Sequence, residues 1–299
     1  MKGWLVNDTL TCIPGTKTFW HDLLEWIPSL EDKTGGYTPY NILADKIETE
    51  ASNSPPDYII RNGTFFRPLN INCKTISLIQ DIFEGDSQQF EVANSSDIVV
   101  FNSPYTRSFY EDNISKPMVT IPLGVDFDFI KPLENKEELR KKLNILPNSI
   151  LFVGAANEYP KGFDVVSSLI KTTSYNFCLV MKDDFHISHP RVTVFNKANH
   201  DKLVEIYNSC AMLICTSRQE TLHLAGIEGA ACGLPIVATN VGAYHNRKEG
   251  EWGCVSSYEN FLESIEKITY NLNKYNPRKY FLEEGYDKKT CRKRWTNLI

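Results

Sequence analysis

Residues 216–242 read TSRQETLHLAGIEGAACGLPIVATNVG. The apolar run 212–215 enters a polar loop there, and the spacing predicts a helix that starts near Thr221 or Leu222. Gly233 followed by Pro235 is a stop signal, because glycine takes the left-handed cap and proline cannot continue a helix. The run 235–239 then predicts a strand. Strand, loop, helix and strand in that order make a parallel α/β unit. Its loop lies at the carboxyl edge of the sheet, where open α/β sheets bind ligands.

The same rhythm runs through the chain. Short apolar runs predict strands at 3–6, 58–61, 75–79, 98–102, 119–121, 150–153, 177–181, 192–195, 212–215 and 235–239. Helical spacing falls at 17–27, 136–143, 162–170, 200–208, 222–232 and 259–272. Strands buried on both faces and alternating with helices mean parallel sheets, so the fold class is α/β. A chain of 299 residues is long enough for two cores. Pro132 ends an extended segment, a charged helix at 134–143 crosses the gap, and Pro147 resets the chain before the next strand. The expected organisation is 1–133, then 134–276, then a charged helical tail at 277–299 that packs back on the first domain. Tyr280, Phe281, Trp295 and Leu298 would be the packing face of that tail.

Composition narrows the class. The chain is 42% hydrophobic and 23% charged with a net charge of −5, an ordinary globular balance that excludes disorder, collagen and coiled coil. That charge argues against a protein that coats nucleic acid, while leaving room for a local basic groove. The eight cysteines form no Cys-x-x-Cys pair and no zinc spacing, so they read as reduced core thiols. No apolar run approaches the roughly 20 residues that span a bilayer, and Asn7 and Asp8 interrupt the first ten residues too early for a signal-peptide core. A cytoplasmic protein is expected. The pattern Gly-x4-Gly-Lys-Ser/Thr is missing, which argues against an ATPase.

Two acids stand in the deciding stretch, Glu220 at the mouth of the loop and Glu228 among Ala225, Gly226, Ile227, Gly229, Ala230 and Ala231. If all eight steps between them were helical they would rise about 12 Å. Helix-start amides near Leu222 and His223, aided by the helix dipole, make an anion site between the two acids. Acid, anion socket, acid suits a sugar, a diphosphate and a ribose, since both end groups offer hydroxyls to a carboxylate. The plainer reading has Glu220 capping the helix and Glu228 in solvent.

Residues 220–242 resemble the donor-site motif of glycosyltransferase family 4, a family of the GT-B fold. Three further segments agree in order: SDIVVFNSPYTR at 96–107, VTIPLGVDFDFIKPL at 119–133 and RKKLNILPNSILFVGAANEYPKGFD at 140–164. The resemblance implies two Rossmann-like parallel-sheet domains facing across a cleft. It also implies a retaining, metal-independent transfer of sugar from a nucleotide-diphosphate sugar to a hydroxyl acceptor, such as a glycan or a lipid-linked precursor. By the same resemblance Glu220 would hold donor-sugar hydroxyls and Glu228 the ribose. Amides of Thr221, Leu222, His223 and Leu224 would meet the sugar and diphosphate. Lys161, beyond Gly154, would neutralise the leaving diphosphate. The family's arginine after the first donor-domain glycine is Ala155 here, and Arg218 is a candidate to supply that charge.

The first domain would hold the acceptor. Asp8, Gly15 and Thr16 follow the first strand, and Gln80 and Asp81 occupy the place of a family histidine. The acidic pair Asp183–Asp184 reads as a surface turn, and no metal or other cofactor is expected beyond the nucleotide sugar as co-substrate. Phe19, Trp20, Leu23, Leu24, Trp26 and Ile27 form an amphipathic face, read as helix packing with peripheral membrane contact as the other option. The sequence RKRW at 292–295 reads as a solvated face or a phosphate contact. Two alternatives stand beside the main reading. One is a viral-type DNA glycosyltransferase acting on hydroxymethylated bases, with nucleic acid as partner. The other is a nucleotide-sugar binder without transfer activity.

Overall fold

The computed structural model describes residues 1–7, 14–33, 40–62, 67–82 and 87–299. They form two compact units, Met1–Gly124 with Lys289–Ile299, and Val125–Lys288. Each unit is built on one six-stranded sheet in which every neighbouring pair is parallel.

In the first unit the elements run β1 (Gly3–Val6), α1 (Pro14–Trp26), β2 (Leu30–Asp32), α2 (Tyr40–Asn53), β3 (Tyr58–Asn62), β4 (Lys74–Ile79), α3 (Ser87–Asn94), β5 (Ile98–Phe101), α4 (Pro104–Ser108) and β6 (Met118–Thr120). The sheet order is β2-β1-β3-β4-β5-β6. Phe19, Trp20, Leu23, Trp26 and Ile27 are all buried, so the aromatic face weighed for membrane contact is core. Among the described residues no helix is long and apolar enough to cross a membrane.

The second unit runs α5 (Lys136–Lys142), β7 (Ile150–Gly154), α6 (Phe163–Thr172), β8 (Phe177–Met181), β9 (Val192–Asn196), α7 (His200–Ser209), β10 (Met212–Cys215), α8 (Leu224–Ala231), β11 (Ile236–Ala238), β12 (Gly253–Val255), α9 (Phe261–Tyr270) and α10 (Pro277–Glu283). A last helix, α11 (Lys288–Thr296), closes the chain. Its sheet order is β12-β11-β10-β7-β8-β9. The chain enters at β7 in the middle, builds outward through β8 and β9, then crosses back to lay β10 on the other side of β7. The loops after β7 and β10 therefore diverge, and the crevice between their carboxyl ends is the switch point of the sheet.

Several expectations change. The short strands β2 and β12 were not foreseen, because LED carries no apolar run and GCV begins at a glycine of φ +135°. Helix α5 does not cross a gap. It packs on α7 within the second unit, where Lys142 Nζ meets Glu205 Oε1 at 2.8 Å. The tail is two helices, with α10 in the second unit and 289–299 in the first. Of its expected packing residues, Phe281 and Trp295 are fully buried.

Arg61 shows how the first unit is tied internally. It is fully buried on β3, and its guanidinium donates to Ser77 Oγ on β4 (3.0 Å), to Val92 O on α3 (2.7 Å) and to Ser95 Oγ (2.9 Å). Replacing the guanidinium removes several buried hydrogen bonds from one charged donor at once. Arg61→Met should therefore lower unfolding free energy by about 2–4 kcal/mol. Urea unfolding followed by tryptophan fluorescence would check this, and an unchanged midpoint would refute the tie.

Candidate functional site

Gly154 ends β7 and Ala155 is buried behind it. The chain then makes a single turn at Tyr159–Lys161 and passes through Gly162 at φ +66°, ψ +32° into α6. On the far side of the switch point, Thr216 leaves β10. The two segments touch through backbone: a Cβ built on Gly162 would lie 1.9 Å from the Thr216 carbonyl oxygen. Glycine is required there twice over, for the left-handed backbone and for the space. Thr216 Oγ1 also donates to Lys161 O at 3.1 Å.

This approach brings two residues that the sequence keeps 59 positions apart into one ion pair. Lys161 Nζ lies 2.6 Å from Glu220 Oε2. The side chains are 30% and 15% exposed, so the pair is partly screened from water yet open to a ligand. Burial presses Lys161 toward its neutral form. The Glu220 carboxylate, by charge and hydrogen bond, outweighs that and lifts the ammonium above its ordinary pKa. The amine is therefore a firm cation near neutrality.

Helix α8 starts at Leu224, later than the sequence indicated, and its cap is His223 in the left-handed region at φ +69° with no side-chain capping bond. Thr221 and Leu222 lie before the helix, so only 224–228 of the interval between the two acids is helical. The eight-step helical rise expected from the spacing therefore does not apply. The stop at Gly233 is as expected, with φ +92° and its N–H on Ala230 O. His223 Nδ1 shares a 2.8 Å hydrogen bond with the buried Tyr244 hydroxyl, and Tyr244 stacks on Trp252. Gly226 lets this pair in, since a Cβ there would fall 1.7 Å from the Tyr244 hydroxyl. Burial pushes the His223 imidazole down to about 4, with Glu220 raising it and Lys161 lowering it further. The ring is neutral at pH 7.

Glu228 sits one turn into α8 and accepts a 2.8 Å hydrogen bond from the Tyr207 hydroxyl on α7. Burial raises its pKa, opposed by that bond. No local sequence signal marks Tyr207 as its partner. Arg218 forms a two-pronged ion pair with Asp164, at 2.8 and 2.7 Å. In the first unit Gln80 is buried just past β4 and Asp81 follows it, its carboxyl raised by burial. Gly15 and Thr16 fall on α1, and Asp8 lies outside the described residues. Asp183 and Asp184 are exposed, with Asp184 on Lys197 at 2.7 Å. Among the described residues no cluster of three or more His, Cys, Asp or Glu could hold a metal ion.

Two outcomes follow from this geometry. Gly162→Ala should cost about 1–3 kcal/mol of stability from strained backbone alone, read as a lower melting temperature; an unchanged melt would contradict the Thr216 contact. His223 should make the protein acid-sensitive. Its folded pKa lies below its unfolded one, so the unfolded chain takes up a proton that the folded chain refuses as pH falls from 6.5 toward 4. The stability lost across that window is on the order of 3 kcal/mol. His223→Asn, which tolerates the left-handed backbone, should flatten the acid limb in denaturation at pH 7 and pH 5. An equally steep limb in the variant would rule His223 out.

A match to a known protein family falls on the same unit. Residues 147–273 match the family model described as Glycosyl transferases group 1. An uncharacterized glycosyltransferase of Methanocaldococcus jannaschii is 27% identical over 201 residues, covering 64% of this chain and 54% of that protein. A probable sucrose-phosphate synthase of Thermosipho melanesiensis is 30% identical over 218 residues, covering 65% and 51%. The chain thus spans about half the length of the curated relatives it matches. Among solved structures, Anabaena HepE in complex with UDP superposes with a TM-score of 0.76 at 14% identity, covering 100% of this chain and 99% of that one. The two-sheet architecture is that of solved GT-B glycosyltransferases, and residues 147–273 of the second unit match a group 1 glycosyl transferase domain.

Proposed function

We propose that this protein moves a sugar from a nucleoside-diphosphate sugar to a hydroxyl acceptor, with retention at the anomeric carbon and without a metal ion. The observation that carries the reading is the Lys161–Glu220 pair at the switch point of the second sheet. Lys161 spends one N–H on Glu220 and keeps two for phosphate oxygens. At the start of α8 the Gly226 and Ile227 amides donate to His223 O, while those of Leu224 and Ala225 precede the first helical bond and, with the helix dipole, favour an anion. Glu220 accepts from sugar hydroxyls and Glu228 from the ribose diol, its other polar contact being Tyr207.

The chemistry follows from charge. The bond from the anomeric carbon to the diphosphate oxygen breaks, and the leaving group gathers negative charge that Lys161 and the amides already face. The acceptor oxygen forms its bond on the same side, and its proton passes to the departing phosphate. No protein nucleophile is assigned. In the first unit Asp8, Gly15, Thr16, Gln80 and Asp81 are assigned to the acceptor. Solved complexes of HepE with UDP and UDP-glucose favour a uridine diphosphate sugar as the first donor to test.

Sugar transfer and slow donor hydrolysis should both proceed in EDTA, measured as nucleoside diphosphate released. Lys161→Ala and Glu220→Gln should each reduce turnover about 10²–10³-fold, the usual loss on removing one charge-stabilising group. Wild-type turnover in both variants would overturn the assignment. A melting shift with donor and no sugar released would point instead to a binding protein.

A further inference from the structure

We infer that Arg218 is a positioning residue, a clamp that holds the loop after β10 on the turn carrying Lys161. It sets the Lys161–Glu220 pair without touching the donor. The inference rests on the function proposed above.

The guanidinium is already committed. Its Nη1 donates to Tyr159 O at 3.1 Å and to Asp164 Oδ1 at 2.8 Å, and its Nη2 donates to Asp164 Oδ2 at 2.7 Å. Its central carbon lies 4.2 Å from the ring centre of Tyr159 and 5.4 Å from that of Tyr258. The Asp164 hydrogen bonds hold Arg218 charged, and the guanidinium holds Asp164 below the usual carboxylate range. The pair is neutral as a whole, so it adds little field to attract a diphosphate.

What the arrangement does supply is register. Three successive carbonyls of the Lys161 turn are taken by the opposite loop: Tyr159 O by the Arg218 guanidinium, Pro160 O by the Arg218 amide at 2.7 Å, and Lys161 O by Thr216 Oγ1 at 3.1 Å. Two residues further on, the same loop presents Glu220. Asp164, at the start of α6, fixes the far end of the fork. Asp164 is 63% exposed, and an ion pair that open to water adds little stability. Its consequence is therefore geometric, and small displacements of a charge-stabilising group are costly in rate.

The experiment measures kcat and donor KM for Arg218→Ala, Arg218→Lys, Asp164→Asn and the double variant Arg218→Ala/Asp164→Asn, with Lys161→Ala as reference. The donor is whichever of UDP-, GDP- and ADP-glucose the wild type turns over fastest. Both single losses break one clamp. Arg218→Ala and Asp164→Asn should each lower kcat about tenfold with donor KM within about twofold, and the double variant should fall no further. Arg218→Lys keeps the charge and loses the fork, so it should match Arg218→Ala. Melting temperatures should stay close to wild type. A tenfold rise in donor KM for Arg218→Ala, with donor KM preserved in Arg218→Lys and Asp164→Asn, would mean direct donor contact and overturn the clamp. Multiplying losses in the double variant would also overturn it. Lys161→Ala inactive beside a fully active Arg218→Ala refutes the clamp alone, whereas a fully active Lys161→Ala removes the proposed function and the clamp together.

Discussion

The second unit depends on two backbone segments coming so close that no side chain fits between them. Gly162 faces the carbonyl of Thr216 with no room for a Cβ. A parallel sheet entered at its middle strand forces the loops after β7 and β10 apart. The glycine contact brings them back together at one point. Lys161 precedes that point and Glu220 lies four residues beyond Thr216, so their ion pair is a consequence of the backbone contact. The threonine hydroxyl and the Arg218 amide then make the approach specific by filling carbonyls that would otherwise face the crevice unpaired.

Around this contact the protein tolerates features that cost stability. His223 sits in the left-handed region, where a bulky residue is strained, and it is buried without its charge. The Tyr244 hydroxyl and the bare Gly226 backbone hold it there. Helix α8 begins with no side-chain cap. A capping serine or aspartate would stabilise that start by about 1 kcal/mol, but its oxygen would occupy the amides that make the helix start attractive to an anion. Strain, an uncapped helix and a half-buried cation at one place are the pattern expected where structure is bent to a ligand.

The architecture was legible because strands buried on both faces write themselves as unbroken apolar runs. GWLV, ILFVG, FCLVM and MLIC all fall where the pattern put them. Two of the four edge strands, β2 and β12, escape that rule. LED is half solvent-facing, and GCV is defined by pairing with β11. Helix α2 buries Leu43, Ala44, Ile47 and Ala51 at helical spacing, a signal present in the sequence but diluted by acids between. Within the site, Glu220, Glu228 and Lys161 stood out by type and local context. Their partners did not. Tyr207 reaches Glu228 from another helix, and Asp164 meets Arg218 across 54 residues. Nothing local in a sequence marks a contact that only the crossover from β9 back to β10 creates.

Three positions were open to supply positive charge for a diphosphate: 155, 161 and 218. The structure makes them unequal. Ala155 is buried and apolar, and Arg218 is neutralised by Asp164. Lys161 is left, and it is itself half-matched by Glu220. A site with so little net charge binds an anion through fixed dipoles more than through ions. Backbone amides at a helix start cannot be titrated or drawn aside by salt, and they need no reorganisation as charge moves onto the leaving oxygen. In the proposed transfer Lys161 would matter less for holding the ground state than for meeting the charge that appears only when the sugar departs, which is where stabilisation accelerates a reaction.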